Sequence, residues 1–294
     1  MIREDWDKEK CIRVLISDYN LNSHEAHGLM LLKNIIGWDI RINFNEYEGK
    51  HYFNVIIEDG HITEIHMADI SYKEIEYLDL FPKLKVLEVS FTGLQKVKNL
   101  DLLENLEYLD LNNSYISKIE GLDNLINLKF LSFHCCNISE IEGLDNLQNL
   151  EILHLGTNNI KEIKNLDHLR NLTELDLNDN PITEIKGLKN LRNLKELWIE
   201  CTSIKELKGL DNLINIEGLY LCRTEITKID GLDQLLTKFK NIRHIQIDGL
   251  DLTDEDYKKY YDKFKETRKI RFSRTSFTYD EKRAMRESNP RPAG

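Results

Sequence analysis

The chain has 294 residues and 41% hydrophobic content, enough for a substantial core, and no run approaches the ~18 apolar residues of a membrane-spanning helix. Its net charge of −11 is uneven: from Tyr257 onward Lys and Arg outnumber Asp and Glu by 12 to 5, whereas before it the acids lead by 46 to 28. Phosphate contacts need cations along the binding surface, so the acidic body argues against nucleic acid and membrane surfaces as partners.

The N-terminus, Met1 to Asp7, carries acids where a secretory signal needs a basic segment followed by an apolar one. Cys11, Cys135, Cys136, Cys201 and Cys222 form no CxxC pair, so reduced thiols in a cytoplasmic protein are expected. Ser23 is placed to cap a helix running to about Ile36. Ile40, Ile42 and Phe44 then alternate opposite Phe53, Val55 and Ile57 across a turn near Gly49, which predicts a hairpin. Residues 1–61 are therefore read as an N-terminal cap of helix plus hairpin.

From residue 62 the chain is built of repeats. Ile62, Ile65 and Met67 make a degenerate first unit, and regular units begin at Leu84, Leu106, Leu128, Leu150, Leu172, Leu194 and Ile216, each 22 residues after the last. In the unit at Leu106 the aliphatic residues are Leu106, Leu109, Leu111, Ile116, Ile119, Leu122 and Leu125. L-x-x-L-x-L sends alternate side chains of a short strand inward. A single unit cannot bury that row, but stacked neighbours can, through a parallel sheet. Thr92, Ser114, Cys136, Asn158, Asn180, Thr202 and Thr224 fill a polar slot, where they can satisfy the backbone as it leaves the strand. The fold class predicted is an α/β solenoid with repeats over residues 62–252, about nine in all.

The segments Ile116-Ser117-Lys118-Ile119-Glu120-Gly121-Leu122-Asp123-Asn124-Leu125 and Ile138-Ser139-Glu140-Ile141-Glu142-Gly143-Leu144-Asp145-Asn146-Leu147 resemble the SDS22-like class of leucine-rich repeats. The resemblance covers about two thirds of the chain. It implies a parallel sheet on a concave side and short 3₁₀ or extended segments on a convex side. Bacterial internalins share the period and carry secretion signals, of which the N-terminus here shows none.

After Leu235 the register slips by four residues, and Ile242, Ile245, Ile247 and Leu252 mark one more unit. Thr253 can cap a helix whose Tyr257, Tyr260, Tyr261 and Phe264 recur at helical spacing, read as packing on the last repeat, and Ile270 and Phe272 suggest an edge strand. Residues 253–287 are thus a C-terminal cap and 288–294 a flexible tail.

Outward strand positions fall into columns. One column carries Val86, Tyr108, Phe130 and Ile152 as a contiguous apolar strip; the next carries Trp198 and Tyr220, flanked by Glu196, Glu200 and Arg223. Apolar patches rimmed by charge mark binding sites, and Trp, Tyr and Arg dominate interface energetics. These nine residues are the candidate partner-binding set of a non-catalytic, monomeric scaffold needing no cofactor. The resemblance implies, for a phosphatase-type regulator, that Glu196, Trp198 and Tyr220 hold a phosphatase catalytic subunit.

Three chemical alternatives are weaker. Ser132, His154 and Asp176 share a column in nucleophile, base and acid order, but no nucleophile elbow or oxyanion donors accompany them. His134 and His154 with Asp110 or Asp176 could gather a metal ion. Arg268, Lys269, Arg271, Arg274, Lys282, Arg283 and Arg286 could meet RNA or an acidic partner as part of a ribonucleoprotein.

Overall fold

A computed structural model describes residues 8–36, 40–42, 52–69, 73–91, 93–98, 100–227 and 232–247, with 250, 253, 255, 258 and 270–271. The chain divides into two compact units, Met1–His154 and Leu155–Gly294.

The N-terminal unit begins with helices α1 (Lys8–Tyr19) and α2 (Ser23–Ile36). α1 buries Cys11, Ile12 and Leu15. The cap of α2 is Asn22 rather than Ser23: Asn22 Oδ1 accepts the Glu25 N–H at 2.9 Å, and Asn22 Nδ2 donates to Glu25 Oε1 at 2.7 Å. Glu25 is 1% exposed, and its Oε2 accepts the Ile62 N–H at 2.6 Å, tying the helix to the sheet.

Strands β1 (Ile40–Ile42), β2 (Tyr52–Glu58) and β3 (His61–Ala68) come next. The hairpin expected between Ile40–Phe44 and Phe53–Ile57 is overturned: β1 runs parallel to β2, with Ile40 opposite Phe53 and Ile42 opposite Val55. The hairpin is instead β2–β3, antiparallel through Asp59 and Gly60, both at positive φ. Alternation puts Ile40, Ile42, Phe53 and Val55 on one buried face in either direction, so periodicity alone could not choose. The Asp-Gly pair was the turn signal to weigh against Gly49.

From β3 the sheet is parallel, through β5 (Val86–Ser90), β7 (Tyr108–Asp110), β8 (Phe130–Ser132) and β9 (Ile152–His154). The two-residue strands β4 (Glu74–Ile75) and β6 (Lys96–Val97) pair separately. In the C-terminal unit β10 (Glu174–Asp176), β11 (Glu196–Trp198), β12 (Gly218–Tyr220), β13 (His244–Gln246) and β14 (Ile270–Arg271) are parallel in that order. Helix α3 (Leu232–Lys238) lies between β12 and β13, where the period slips.

Each repeat is fixed by three devices. The leucine ladder is dry: Leu109, Leu131 and Leu153 in one unit, and Leu175, Leu197 and Leu219 in the other, are 0% exposed, each worth roughly 2 kcal/mol of apolar burial. Slot residues answer the backbone at Ser114, whose Oγ donates to Leu111 O at 2.8 Å, at Thr202, Oγ1 to Ile199 O at 2.9 Å, and at Asn180, Nδ2 to Leu177 O at 3.1 Å, whereas the buried Thr224 Oγ1 departs from the expectation and has no partner. These bonds brace a left-handed turn just before the slot, at Phe91, Asn113, Cys135, Thr157, Asp179, Cys201 and Arg223, all with φ from 52° to 56°. Side chains as ill suited to that conformation as Phe91 and Thr157 adopt it because stacking forces every unit to leave the strand alike.

On the far side, tight turns close i+3 bonds such as Leu125 N–H to Leu122 O (3.0 Å) and Leu191 N–H to Leu188 O (3.1 Å). There an asparagine ladder joins consecutive units: Asn127 donates to Glu104 O, Asn149 to Ile126 O, Asn193 to Arg170 O and Asn215 to Arg192 O, all at 2.8–2.9 Å. The expected solenoid with a parallel sheet and short turns opposite it is the observed fold.

Candidate functional site

Strand pairing sets the outward columns. In the N-terminal unit Glu64, Val86, Tyr108, Phe130 and Ile152 are in register, as are His66, Glu88, Asp110, Ser132 and His154. In the C-terminal unit the columns read Glu174, Glu196, Gly218, His244 and Asp176, Trp198, Tyr220, Gln246. Seven of the nine sequence-predicted residues therefore stand on the strands as expected, while Glu200 lies just past β11 and Arg223 in the left-handed turn after β12.

The apolar strip is half-buried rather than fully exposed. Its side chains cover one another: the rings of Tyr108 and Phe130 stack with centroids 4.1 Å apart and planes 4° apart, and His154 meets Phe130 edge-on at 5.4 Å. Asp110 stands beside this stack, and burial pushes its carboxyl up to about 6 even though the Asn112 N–H donates to it at 2.9 Å. Near the other end of the same column, His66 Nε2 and Nδ1 lie 3.0 Å from Glu64 and Glu88, and the Tyr52 hydroxyl donates to Glu88 at 2.9 Å. Burial pulls the His66 imidazolium down, but its bonds to Glu88 and Glu64 outweigh that, leaving its pKa above the ordinary 6.5.

In the C-terminal unit Trp198 and Tyr220 stack at 5.2 Å and 10°. The sequence reading missed His244, which meets Tyr220 edge-on at 4.9 Å and hydrogen-bonds its hydroxyl through Nε2. It was hidden because α3 lengthens the step from Gly218 to its strand partner beyond 22 residues; counting two residues back from Gln246 would have found it. Glu196 Oε2 is buried, 3.9 Å from His244 Nε2. Gly218 makes that possible: a Cβ there would fall 1.8 Å from Glu196 Oε2 and 2.8 Å from His244 Nε2. Burial raises the Glu196 carboxyl above its ordinary value, opposed by His244 and the Tyr220 hydroxyl, and burial likewise raises Glu200, opposed by Cys222 and Arg223.

Charge is sorted by face. The outward columns of β10–β13 contain Glu174, Asp176 and Glu196, with Glu200 just past β11, and no Lys or Arg. Lysines sit instead at strand entries or in the turns, as in the pairs Lys129–Glu107 (2.6 Å) and Lys186–Glu162 (2.9 Å). Arg223 is exposed at its left-handed turn.

The chemical alternatives lose ground. Ser132 is 0% exposed and donates its hydroxyl to Asn112 Oδ1 at 2.5 Å, a bond that anchors the strand exit instead of activating a nucleophile. Among the described residues no group of three or more His, Cys, Asp or Glu is arranged to hold a metal ion. No helix among them is long and apolar enough to cross a membrane. Of the basic C-terminal cluster only the Arg271 backbone, paired with Gln246, is described; of the expected C-terminal helix Glu255 and Lys258 are described, both helical, and its tyrosines lie outside the described residues.

Residues 126–168 and 170–212 match the family of Leucine Rich repeats in two copies. No curated protein matches significantly. Among solved structures the chain is similar to internalin C2 from Listeria monocytogenes (24% identity, TM-score 0.56, covering 66% of this chain and 82% of that one). It is also similar to the internalin inlF of that organism (19%, 0.55, 72% and 66%) and to a leucine-rich-repeat protein from Leptospira interrogans (17%, 0.53, 75% and 52%). The chain spans only about half the length of the Leptospira structure. At these identities the likeness concerns the fold: residues 126–168 and 170–212 match leucine-rich repeats, and the chain has the parallel solenoid of the leucine-rich-repeat structures it resembles.

Proposed function

We propose that the chain is a non-catalytic, monomeric scaffold that binds a partner protein on the outward face of its strands. The observation that carries this reading is the pair of stacked aromatic clusters, Tyr108–Phe130 and Trp198–Tyr220, standing on short strands whose interior leucines already supply the fold's core. The leucine-rich-repeat fold supports it, since such solenoids offer extended surfaces to proteins, although fold alone assigns no partner. Within this reading the partner is a protein phosphatase catalytic subunit, held by Glu196, Trp198 and Tyr220, and the compartment is the cytoplasm. The five cysteines support the latter in that none forms a disulfide.

Photoreactive residues placed singly at Tyr108 and Trp198, and for comparison at the exposed turn residues Ile126 and Ile214, test the face. The expected result is one protein cross-linked from both strand positions and from neither turn. Cross-links from the turns alone would overturn the proposal.

A further inference from the structure

We propose that the Trp198–Tyr220 stack receives an arginine side chain presented by the partner polypeptide, a deepening that rests on the outward strand face being the binding face. Two nearly parallel rings, stacked with centroids 5.2 Å apart, present aromatic π faces beside Glu196, which precedes Trp198 by two residues on the same strand, with Glu174 and Asp176 one strand away. A guanidinium is the side chain that fits both features, because it stacks on an aromatic face while its planar fork donates to a carboxylate. An ammonium satisfies the charge but not the plane.

The site also asks for donors. Glu196 Oε2 is buried, and its nearest donors are weakly placed: the Tyr220 hydroxyl is already engaged by His244 Nε2, and that imidazole stands beyond hydrogen-bond distance at 3.9 Å. Gly218 leaves the space into which the carboxylate leans, so an approaching fork meets no side chain from the middle of the column. Four carboxylates on β10 to the end of β11, facing no Lys or Arg in the columns of β10–β13, set the sign of the occupant. The same charges exclude a phosphate-rich ligand. Of the chain's own described arginines, Arg223 is exposed beside Glu200, Arg243 pairs with Glu217 at 3.0 Å, and Arg271, in register with Gln246, lies on β14, two strands beyond Tyr220; none of these stands on a strand adjacent to β11. The site is therefore assigned to a partner in trans.

The test is fluorescence anisotropy of labelled Gly/Ser peptides carrying six Arg, six Lys or six citrullines, titrated with the full-length chain near physiological ionic strength. The arginine peptide is expected to bind about tenfold tighter than the lysine peptide, and the citrulline peptide not measurably. Trp198→Ala and Glu196→Gln, each shown to be folded by circular dichroism, should weaken the arginine peptide about tenfold, with Trp198→Phe intermediate and Ile214→Ala, on an exposed turn, unchanged. Equal affinity for arginine and lysine with no effect of Trp198→Ala would reduce the site to diffuse charge attraction and overturn the proposal. So would a roughly tenfold gain in affinity on changing Arg274, Lys282, Arg283 and Arg286 to Gln, which would make the chain's own C-terminal segment the occupant. If Trp198 cross-links a partner but no arginine peptide binds, the arginine chemistry fails while the binding face stands.

Discussion

The two aromatic stacks stand at different outward positions of their strands, Tyr108–Phe130 at the first residue and Trp198–Tyr220 at the last, and have opposite surroundings. Tyr108 and Phe130 continue an apolar strip from Val86 to Ile152, and the acid beside them, Asp110, is buried enough for its pKa to reach about 6. Trp198 and Tyr220 are set among Glu174, Asp176, Glu196 and Glu200 and closed by His244. Beneath both lie leucines that are 0% exposed. Repetition fixes the interior of every unit, leaving the outward residues to vary, and so one scaffold can carry an apolar anchor in one unit and a charged aromatic one in the other.

The comparison breaks most decisively if the interiors are unequal. Leu131→Ala and Leu197→Ala should each cost about 3 kcal/mol in urea unfolding, the usual consequence of emptying a tight aliphatic site. A small effect at either one would mean that the strands under that stack are not equivalently packed.

The surroundings are sharpened by pH. Asp110 has a folded pKa of about 6 against an ordinary 3.8, so its contribution to stability falls as pH rises through that interval and stays low above it. Asp110→Asn should therefore stabilise the protein at pH 8 by on the order of 1–2 kcal/mol and be near neutral at pH 4, in thermal melts at both values. His66, with its pKa raised, acts in the same sense at higher pH: the Glu64–His66–Glu88 bridge is fully stabilising below 6.5 and is lost as pH rises through the raised value.

Next in size are the stacks themselves. Phe130→Ala and Trp198→Ala should each cost only about 1 kcal/mol, because the rings are half-exposed and lose mainly one stacking contact. A loss as large as that of Leu197→Ala would recast the stacks as core. The smallest expected effect, about 0.5–1 kcal/mol, is that of Asn149→Ala or Asn193→Ala, each removing one exposed rung of the ladder opposite the sheet.

Legibility in the sequence divides along the same line. The columns Glu64 to Ile152 and Asp176 to Tyr220 were legible because one period of 22 residues forces both pairing and facing, so that Tyr108–Phe130 and Trp198–Tyr220 became neighbours by counting. The N-terminal cap was legible only as alternation, which names the buried face of β1 and β2 but not their relative direction. Asn22, not Ser23, caps α2 because Glu25 three residues on completes a reciprocal capping pair, and that Glu also anchors β3, a long-range bond no local pattern announces. His244 was lost where α3 interrupts the count. The space above Gly218 appeared only once Glu196 had a direction.

The central claim is that the outward face binds a protein through these stacks. Its most direct test is the affinity of the cross-linked partner for the wild type, for Glu196→Ala/Trp198→Ala/Tyr220→Ala and for Tyr108→Ala/Phe130→Ala, each confirmed to be folded. The expected result is a loss of about 100-fold for the first variant and at least about tenfold for the second, as befits clustered interface anchors. Wild-type affinity in both variants would contradict the claim.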